Sequence, residues 1–213
     1  MVSSYLKTTI LSENDYKTTD WSAGKTTELY IFPENSSYND RNFSFRISSA
    51  TVDSENSTFT ELPGTNRKLM LLDGEMTLIH KNRYQKKLEV YEQDSFSGEW
   101  ETAGVGNARD FNLMLKSGAQ GTLYHKSFAP HEKSSLNLKI ENRKSLFSIF
   151  YVVSGTLTVF INTEKHELSE NQTLVLDYSD EDTVQLILEN HSETSTELVS
   201  TRISLKQLNG RNL

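Results

Sequence analysis

The sequence has no cysteine, few prolines and no long apolar segment. The absence of cysteine from its 213 residues excludes disulfide bonds, zinc–thiolate sites and cysteine nucleophiles. No apolar run approaches the length that spans a bilayer, and the first residues lack the charged and then apolar order of a secretory signal. These absences predict a cytoplasmic protein that does not contact a membrane.

Positive charge is also scarce. The 22 Lys and Arg residues are outnumbered by 29 Asp and Glu residues, which gives a formal net charge of -7 at pH 7. A protein that binds nucleic acid needs a basic surface to displace the counterions of the phosphates, and binding to an anionic membrane favours one too. The charge balance therefore predicts that no nucleic acid is a partner.

Familiar catalytic and metal-binding motifs are missing as well. The sequence contains no Gly-x-Ser-x-Gly elbow, no phosphate-binding glycine loop and no dinucleotide fingerprint. A metal-binding barrel of this size usually presents a His-x-His pair and a later third histidine, and none of the five histidines forms such a pair. We predict no metal and no cofactor, and we interpret His80 and His166, which lie beside lysines, as exposed to solvent.

Short runs of alternating apolar and polar residues dominate the chain, and they predict β-strands. Such runs occur at residues 7–11, 29–32 and 43–48. The last run places two sets of side chains on opposite faces, Phe43, Phe45 and Ile47 against Ser44, Arg46 and Ser48. The polar set either faces water, as on a half-exposed strand, or lines the mouth of a barrel, and the residues alone leave both possibilities open.

One pattern occurs twice. Residues 67–80 predict a hairpin whose tight turn is supplied by Asp73 and Gly74, and residues 149–160 repeat the pattern around Gly155. Downstream, the polar segment at 92–96 is echoed at 170–174. A repeat on this scale indicates two similar units. We predict two barrels, at residues 1–117 and 118–213, with strands that can cross from one barrel to the other.

Four polar, glycine-punctuated blocks give the chain a family resemblance. They are Trp-Ser-Ala-Gly-Lys-Thr-Thr-Glu-Leu at 21–29, Phe-Arg-Ile-Ser-Ser-Ala at 45–50, Leu-Pro-Gly-Thr-Asn-Arg at 62–67 and Asp-Phe-Asn-Leu-Met at 110–114. In this order they resemble the HutD/Ves family of bacterial bicupins, although Ala23 stands where that family often has a second glycine. The resemblance implies an all-β bicupin fold, with two cupin-like barrels and little helix.

The candidate ligand-binding residues come from these blocks. The planar guanidinium of arginine can give a carboxylate two parallel hydrogen bonds, and the Arg-x-Ser pattern of the family favours an inward Arg46. An inward Asp110 would need a partner, for which we predict Arg46 or Arg67, whereas Glu28 is either a surface residue or an arginine partner. The full set of predicted ligand-binding residues is Trp21, Thr26, Arg46, Ser48, Arg67, Asp110 and Asn112.

Three functions remain open at this stage. The resemblance implies a metal-free, regulatory protein that binds a small anionic or carboxylate metabolite of the formylglutamate type, linked to histidine utilisation. The alternative is a cupin-fold isomerase or hydrolase acting on a small polar metabolite, with Asp110 or Glu28 as general base. A stress-associated interaction protein without a small ligand is the third possibility. A homodimer is possible in each case.

Overall fold

The computed structural model describes residues 5–116, 118–138, 145–179 and 183–205. These residues form nineteen β-strands and one short 3-10 turn at Glu13–Asp15, and no α-helix occurs among them. The all-β prediction is therefore confirmed. The described ranges contain no helix that is long and apolar enough to cross a membrane.

The chain divides into two compact units. Residues 16–119 form what we call the first unit, and the second unit combines the described residues before Tyr16 with those from Gln120 onward. The N-terminal strand β1 (Tyr5–Leu11) joins the second unit because it pairs along its whole length with β17 (Thr173–Ser179). A division at residue 117 alone would separate these two paired strands.

The first unit is built from a six-stranded and a four-stranded antiparallel sheet. The larger sheet has the order β2-β3-β4-β11-β6-β9, and the smaller has the order β5-β10-β7-β8. Inward apolar side chains from both sheets, such as Leu69 and Leu78, form one buried cluster, so the two sheets close around a shared core. The strands are β2 (Lys17–Trp21), β3 (Gly24–Phe32), β4 (Phe45–Val52), β5 (Asn56–Thr58), β6 (Thr65–Gly74), β7 (Met76–His80), β8 (Tyr84–Leu88), β9 (Gln93–Ser97), β10 (Thr102–Val105) and β11 (Ala108–Lys116).

The second unit also has two sheets. Their orders are β1-β17-β14-β19-β12 and β13-β18-β15-β16. A single apolar cluster again draws on both sheets and includes Phe150 and Leu186. The strands not yet given are β12 (Ala119–Phe128), β13 (Lys133–Leu138), β14 (Ser145–Ser154), β15 (Thr156–Ile161), β16 (Glu164–Ser169), β18 (Val184–Glu189) and β19 (Thr196–Leu205).

The predicted hairpin around Gly74 is wrong. Strand β6 ends at Gly74 in the larger sheet, and β7 begins at Met76 in the smaller sheet, so the chain crosses between sheets instead of folding back. Gly74 has a φ of 79°, and a Cβ there would lie 2.3 Å from the carbonyl oxygen of Asn107. Gly155 has a φ of 84° at the matching crossing from β14 to β15. A glycine with positive φ suits either connection, so the motif alone did not distinguish them.

The two units share one topology. The order β4-β11-β6-β9 of the first unit corresponds to β12-β19-β14-β17 of the second, and β5-β10-β7-β8 corresponds to β13-β18-β15-β16. In the first unit the backbone N–H of Tyr91 donates to the carbonyl oxygen of Leu71. At the matching place of the second unit, the backbone N–H of Asn171 donates to the carbonyl oxygen of Val152. These bonds confirm the superposition of Gly74 on Gly155. They align Glu92 with Gln172, whereas the sequence pattern aligned Glu92 with Glu170. Each unit is an eight-stranded barrel with added edge strands.

Candidate functional site

Strand β4 is buried on both of its faces. Arg46 is only 6% exposed, although the default for such a polar row is a solvent-facing position. Phe45 and Ile47 point to the other face and are fully buried. Phe43 departs from the predicted alternation, because it precedes the strand and clusters with Leu62 and Met114.

The polar face of β4 lines a cavity of about 560 Å³ within the first unit. All seven predicted ligand-binding residues contribute to its wall, so the structure brings together every residue of that set. The cavity is also lined by residues that the prediction did not include, among them Lys17, Glu28, Ile31, Tyr38, Phe59 and Met114.

Strand register explains why residues distant in sequence meet here. Arg46 on β4 is paired with Met114 on β11, and Met114 is paired on its other side with Arg67 on β6. The two arginines therefore lie in one row across the sheet, separated by a single methionine. Parallel rows of the same face carry Glu28-Ser48-Asn112 and Thr26-Ala50-Asp110. Cation and acceptor groups are thus sorted into adjacent rows.

Arg46 is held by a carboxylate and a hydroxyl. Its Nε donates a 2.6 Å hydrogen bond to Oε2 of Glu28, and an Nη donates to Oγ of Ser48 at 3.0 Å. The guanidinium also stacks on Tyr38, with 4.5 Å from Cζ to the ring centroid. The partner of Arg46 is therefore Glu28 and not Asp110, and this settles the open interpretation of Glu28.

Arg67 is positioned by aromatic rings. The side chain is 5% exposed, and its Cζ lies 4.8 Å from the ring centroid of Phe59 and 5.3 Å from that of Phe96. Its Nε has no hydrogen-bond partner among the described residues. Burial lowers the pKa of Arg67 to about 10, against the opposing effects of Tyr38 and Asp110. Arg67 is still a cation at neutral pH, and it retains unused hydrogen-bonding capacity.

Asp110 is a buried carboxyl group without an ion pair. It is 2% exposed, and within the described ranges its Oδ1 has no hydrogen-bond partner and no cation lies within 4.0 Å of it. Burial raises the pKa of Asp110 to about 7, although the charge of Arg67 and the backbone of Ala50 act to lower it. The predicted salt bridge from Asp110 to Arg46 or Arg67 is therefore wrong at contact distance, while the longer-range interaction with Arg67 remains.

Two further polar atoms in the wall have no hydrogen-bond partner in the part of the chain that the structure describes. They are Nε1 of Trp21 and Oδ1 of Asn112. Buried polar groups are nearly always hydrogen-bonded in folded proteins, so several unpaired atoms around one cavity indicate a place for a polar molecule. Trp21 also packs against the apolar cluster of the first unit, which makes it both a core residue and a wall of the cavity.

Sequence comparison identifies the family. The HutD family model matches residues 13–195. The chain belongs to the HutD family. Among curated proteins, none has significant sequence similarity to it.

Solved structures support the fold of this HutD-family chain. A conserved protein of unknown function from Pseudomonas aeruginosa PAO1 is 18% identical, with a TM-score of 0.79 over 92% of this chain and 98% of that one. HutD from Pseudomonas fluorescens SBW25, in a formate condition, is 17% identical, with a TM-score of 0.66 over 94% and 100%. A cupin 2 conserved barrel domain protein from Leptotrichia buccalis is 11% identical, with a TM-score of 0.54 over 93% and 96%. The fold is that of a cupin, as predicted.

The polar site of the HutD-family chain is confined to the first unit. Strand register matches Arg67 with Ser148, whose hydroxyl hydrogen-bonds Tyr178. The position of Asp110 corresponds to Leu198, a member of the apolar cluster of the second unit. The same barrel is thus built with and without the charged residues, and the fold itself does not require them.

The sequence missed Tyr38 and Phe59, which contact the two guanidinium groups. Both lie between strands, where strand periodicity gives no signal for a cavity wall. His80 was wrongly interpreted as exposed, since it is 1% exposed and hydrogen-bonded within the first unit. In the described residues, no group of three or more His, Asp or Glu side chains could hold a metal ion.

Proposed function

We propose that this protein is a regulatory binding protein for a small carboxylate metabolite, which it holds without a metal in the cavity of the first unit. The observation that carries the proposal is the pair of buried arginines, Arg46 and Arg67, facing one cavity from the same row of the sheet. We also propose the link to histidine utilisation that the family resemblance implies.

The charges around the cavity support an anionic ligand. Arg46 already has Glu28 as its partner, but Arg67 has no carboxylate within 4.0 Å in the described part of the chain. A buried cation without a partner is costly, and a ligand carboxylate would supply one. A hydrogen bond to a charged group contributes about 1.5–3 kcal/mol, so two contacts of this kind contribute about 3–6 kcal/mol, which corresponds to a Kd in the millimolar to upper micromolar range.

The size and the mixed wall support a small molecule with an apolar part. A volume of about 560 Å³ lies in the usual range for small-ligand pockets. Ile31, Met114 and Phe59 alternate with the polar residues in the wall. This pattern suits a short carbon chain that carries carboxylates, and it suits an inorganic ion less well.

Asp110 favours catalysis as the second candidate function. A general base works best when its pKa lies near the operating pH, and burial raises the pKa of Asp110 to about 7. Glu28 is less suited to the role because it is engaged by Arg46. A solvent-facing polar row without a cleft would support the third possibility, an interaction protein without a ligand, and the buried Arg46 gives it no such support.

The experiment is a thermal-shift screen of small carboxylates against their neutral amides. A ligand that binds only the folded state raises the free energy of unfolding by about 2.7 kcal/mol at a hundredfold excess over Kd. We expect dicarboxylates such as glutarate and N-formylglutamate to raise Tm, and the matched diamide to leave it unchanged. Equal shifts with both, or none with either, would refute the proposal. Proton NMR of the same mixtures would detect turnover and so identify an enzyme.

A further inference from the structure

A second polar network, buried at His80, Asp94 and Thr102, lies in the first unit, outside the cavity wall. At its centre is His80, which joins Thr102 Oγ1 through Nδ1 at 2.9 Å and Asp94 Oδ2 through Nε2 at 3.0 Å. The hydroxyl of Tyr84 donates to the same carboxylate oxygen of Asp94 at 3.1 Å. The backbone N–H of Ser95 donates to the other oxygen at 2.9 Å. Two hydrogen bonds thus hold the imidazole directly, and those from Tyr84 and Ser95 hold the Asp94 carboxylate that orients it.

The second unit shows that the barrel does not need this network. In the first unit His80 on β7 is paired with Thr102 on β10. At the equivalent position of the second unit, Ile161 on β15 is paired with Leu186 on β18. Likewise, Asp94 faces Leu69 on β6, and its counterpart Leu174 faces Phe150 on β14. The three counterparts, Ile161, Leu174 and Leu186, are fully packed apolar residues. Because apolar residues of similar volume are often at least as stable as buried polar groups, stability alone does not account for the network.

Phe96 connects the network to the cavity. It lies two residues after Asp94 on β9, so both side chains are on the same face of the strand. Its ring centroid is 4.7 Å from that of His80 on one side and 5.3 Å from Cζ of Arg67 on the other. In the second unit Leu176 takes the place of Phe96 and Ser148 that of Arg67. The network, the ring and the arginine are therefore present together or absent together.

We infer that His80, Asp94, Thr102 and Tyr84 form a positioning network, which holds the Phe96 ring and through it the Arg67 guanidinium in the orientation that meets the ligand. Arg67 needs such support because its Nε has no hydrogen bond among the described residues and its contacts there are aromatic. A ring fixed on one side by a hydrogen-bonded imidazole gives the guanidinium a rigid surface for the cation–π contact. Arg46, held directly by Glu28, does not depend on the network.

The test measures the position of Arg67 without any ligand. The triple variant His80→Ile, Asp94→Leu, Thr102→Val replaces the network by apolar residues close to those of the second unit. The Nε–H resonances of Arg67 and Arg46 are assigned from Arg67→Lys and Arg46→Lys spectra and compared by ¹H–¹⁵N NMR. We expect the ring-current shift of the Arg67 resonance to change and its exchange protection to fall, while the Arg46 resonance stays in place. Ser148→Ala, which removes a buried hydroxyl of the second unit, should move neither resonance.

A second variant and a ligand measurement complete the test. Phe96→Leu keeps the network and removes the ring. Its readout is the exchange protection of the Arg67 Nε–H, which should fall, because loss of the ring current shifts the resonance wherever the guanidinium lies. The ligand measurement is a titration with glutarate and rests on the proposed function. The affinity for glutarate should fall about tenfold or more in either variant. An unchanged Arg67 resonance in a folded variant, or equal movement of both arginines, would overturn the inference. If wild type binds no carboxylate, the proposed function fails and the resonances still decide this inference.

Discussion

Arg46 and Glu28 form a short ion pair, with 2.6 Å between Nε and Oε2, in the wall of the cavity. The side chains are 7% and 19% exposed, so the pair is largely shielded from solvent. Glu28 therefore both orients the guanidinium and cancels part of its attraction for an anionic ligand.

Replacing Glu28 by Gln should tighten carboxylate binding. The amide oxygen can still accept the hydrogen bond from Arg46, while the negative charge is removed. A screened charge–charge contribution of about 1 kcal/mol corresponds to about fivefold higher affinity for glutarate, measured by calorimetry. Glu75→Gln, which removes an exposed carboxylate of the first unit, is the control and should leave affinity unchanged. Weaker binding by Glu28→Gln would mean that the carboxylate itself contacts the ligand.

Carboxylate binding should become tighter as the pH falls through neutrality. The pKa of Asp110 is raised to about 7 by burial, so lowering the pH below that value removes a negative charge from the wall. Arg67, whose pKa is lowered to about 10, stays charged throughout. Affinity for a strong-acid anion, measured between about pH 8 and about pH 6, should rise in wild type and change less in Asp110→Asn. A wild-type affinity that falls with decreasing pH would contradict this assignment.

The same group should make the unliganded protein less stable as the pH rises. At pH values between 3.8, the ordinary pKa of an aspartate, and about 7, the pKa of Asp110 in the folded protein, Asp110 holds a proton in the folded state that it has lost in the unfolded state. The free energy of unfolding therefore falls with increasing pH across that window, by at most about 1.4 kcal/mol per pH unit. Urea unfolding of wild type and Asp110→Asn should show the variant gaining relative stability as the pH rises. Parallel curves would show that Asp110 ionises in the folded state as it does in the unfolded chain.

Replacing Arg67 by Met should reduce binding without weakening the fold. The guanidinium is buried with an unpaired Nε, and apolar replacement of a poorly compensated buried charge is often neutral or stabilising by about 1–4 kcal/mol. We expect the free energy of unfolding to stay the same or rise, while glutarate affinity falls at least about tenfold. A loss of more than about 2 kcal/mol in stability would show that Arg67 serves the fold.

The crossing between sheets at Gly74 predicts a specific glycine requirement. Gly74→Ala combines a positive φ with a Cβ placed 2.3 Å from a backbone oxygen, whereas Gly64 has a φ of 73° and no heavy atom within 4 Å of the added Cβ. Gly64→Ala should therefore cost only about 1 kcal/mol of backbone strain, and Gly74→Ala should cost several times more. Equal losses in chemical denaturation would show that the close contact at Gly74 relaxes.

The sequence predicted strands better than it predicted their partners. Alternation placed Arg46 and Ser48 on one face, and all seven residues that we predicted from the four motif blocks contribute to the cavity wall, which also has other members. Alternation could not tell which face is buried, because in β4 both are. The sequence left the partner of Arg46 open between Glu28 and Asp110. These two carboxylates lie in neighbouring rows of the same face, and only strand register decides which of them reaches the arginine.

Burial of individual polar residues was the least predictable property. His80 is followed by Lys81, which suggested exposure, but its partners Asp94 and Thr102 come from strands 14 and 22 residues away. The turn at Gly74 was misinterpreted for a related reason, since the glycine reports a local φ and not the sheet that the next strand joins. Both errors concern long-range pairing, on which local sequence carries little information.

The most direct test of the account is calorimetric titration of glutarate into wild type and Arg46→Gln, with Lys87→Gln as a charge-matched control on the exposed face of the first unit. The glutamine can still donate a hydrogen bond to Glu28, so the cavity keeps its shape while losing one cation. We expect saturable binding by wild type and the Lys87 variant, and at least about tenfold weaker binding by Arg46→Gln. Equal affinity in all three proteins would contradict the claim that the buried guanidinium of Arg46 binds the anion.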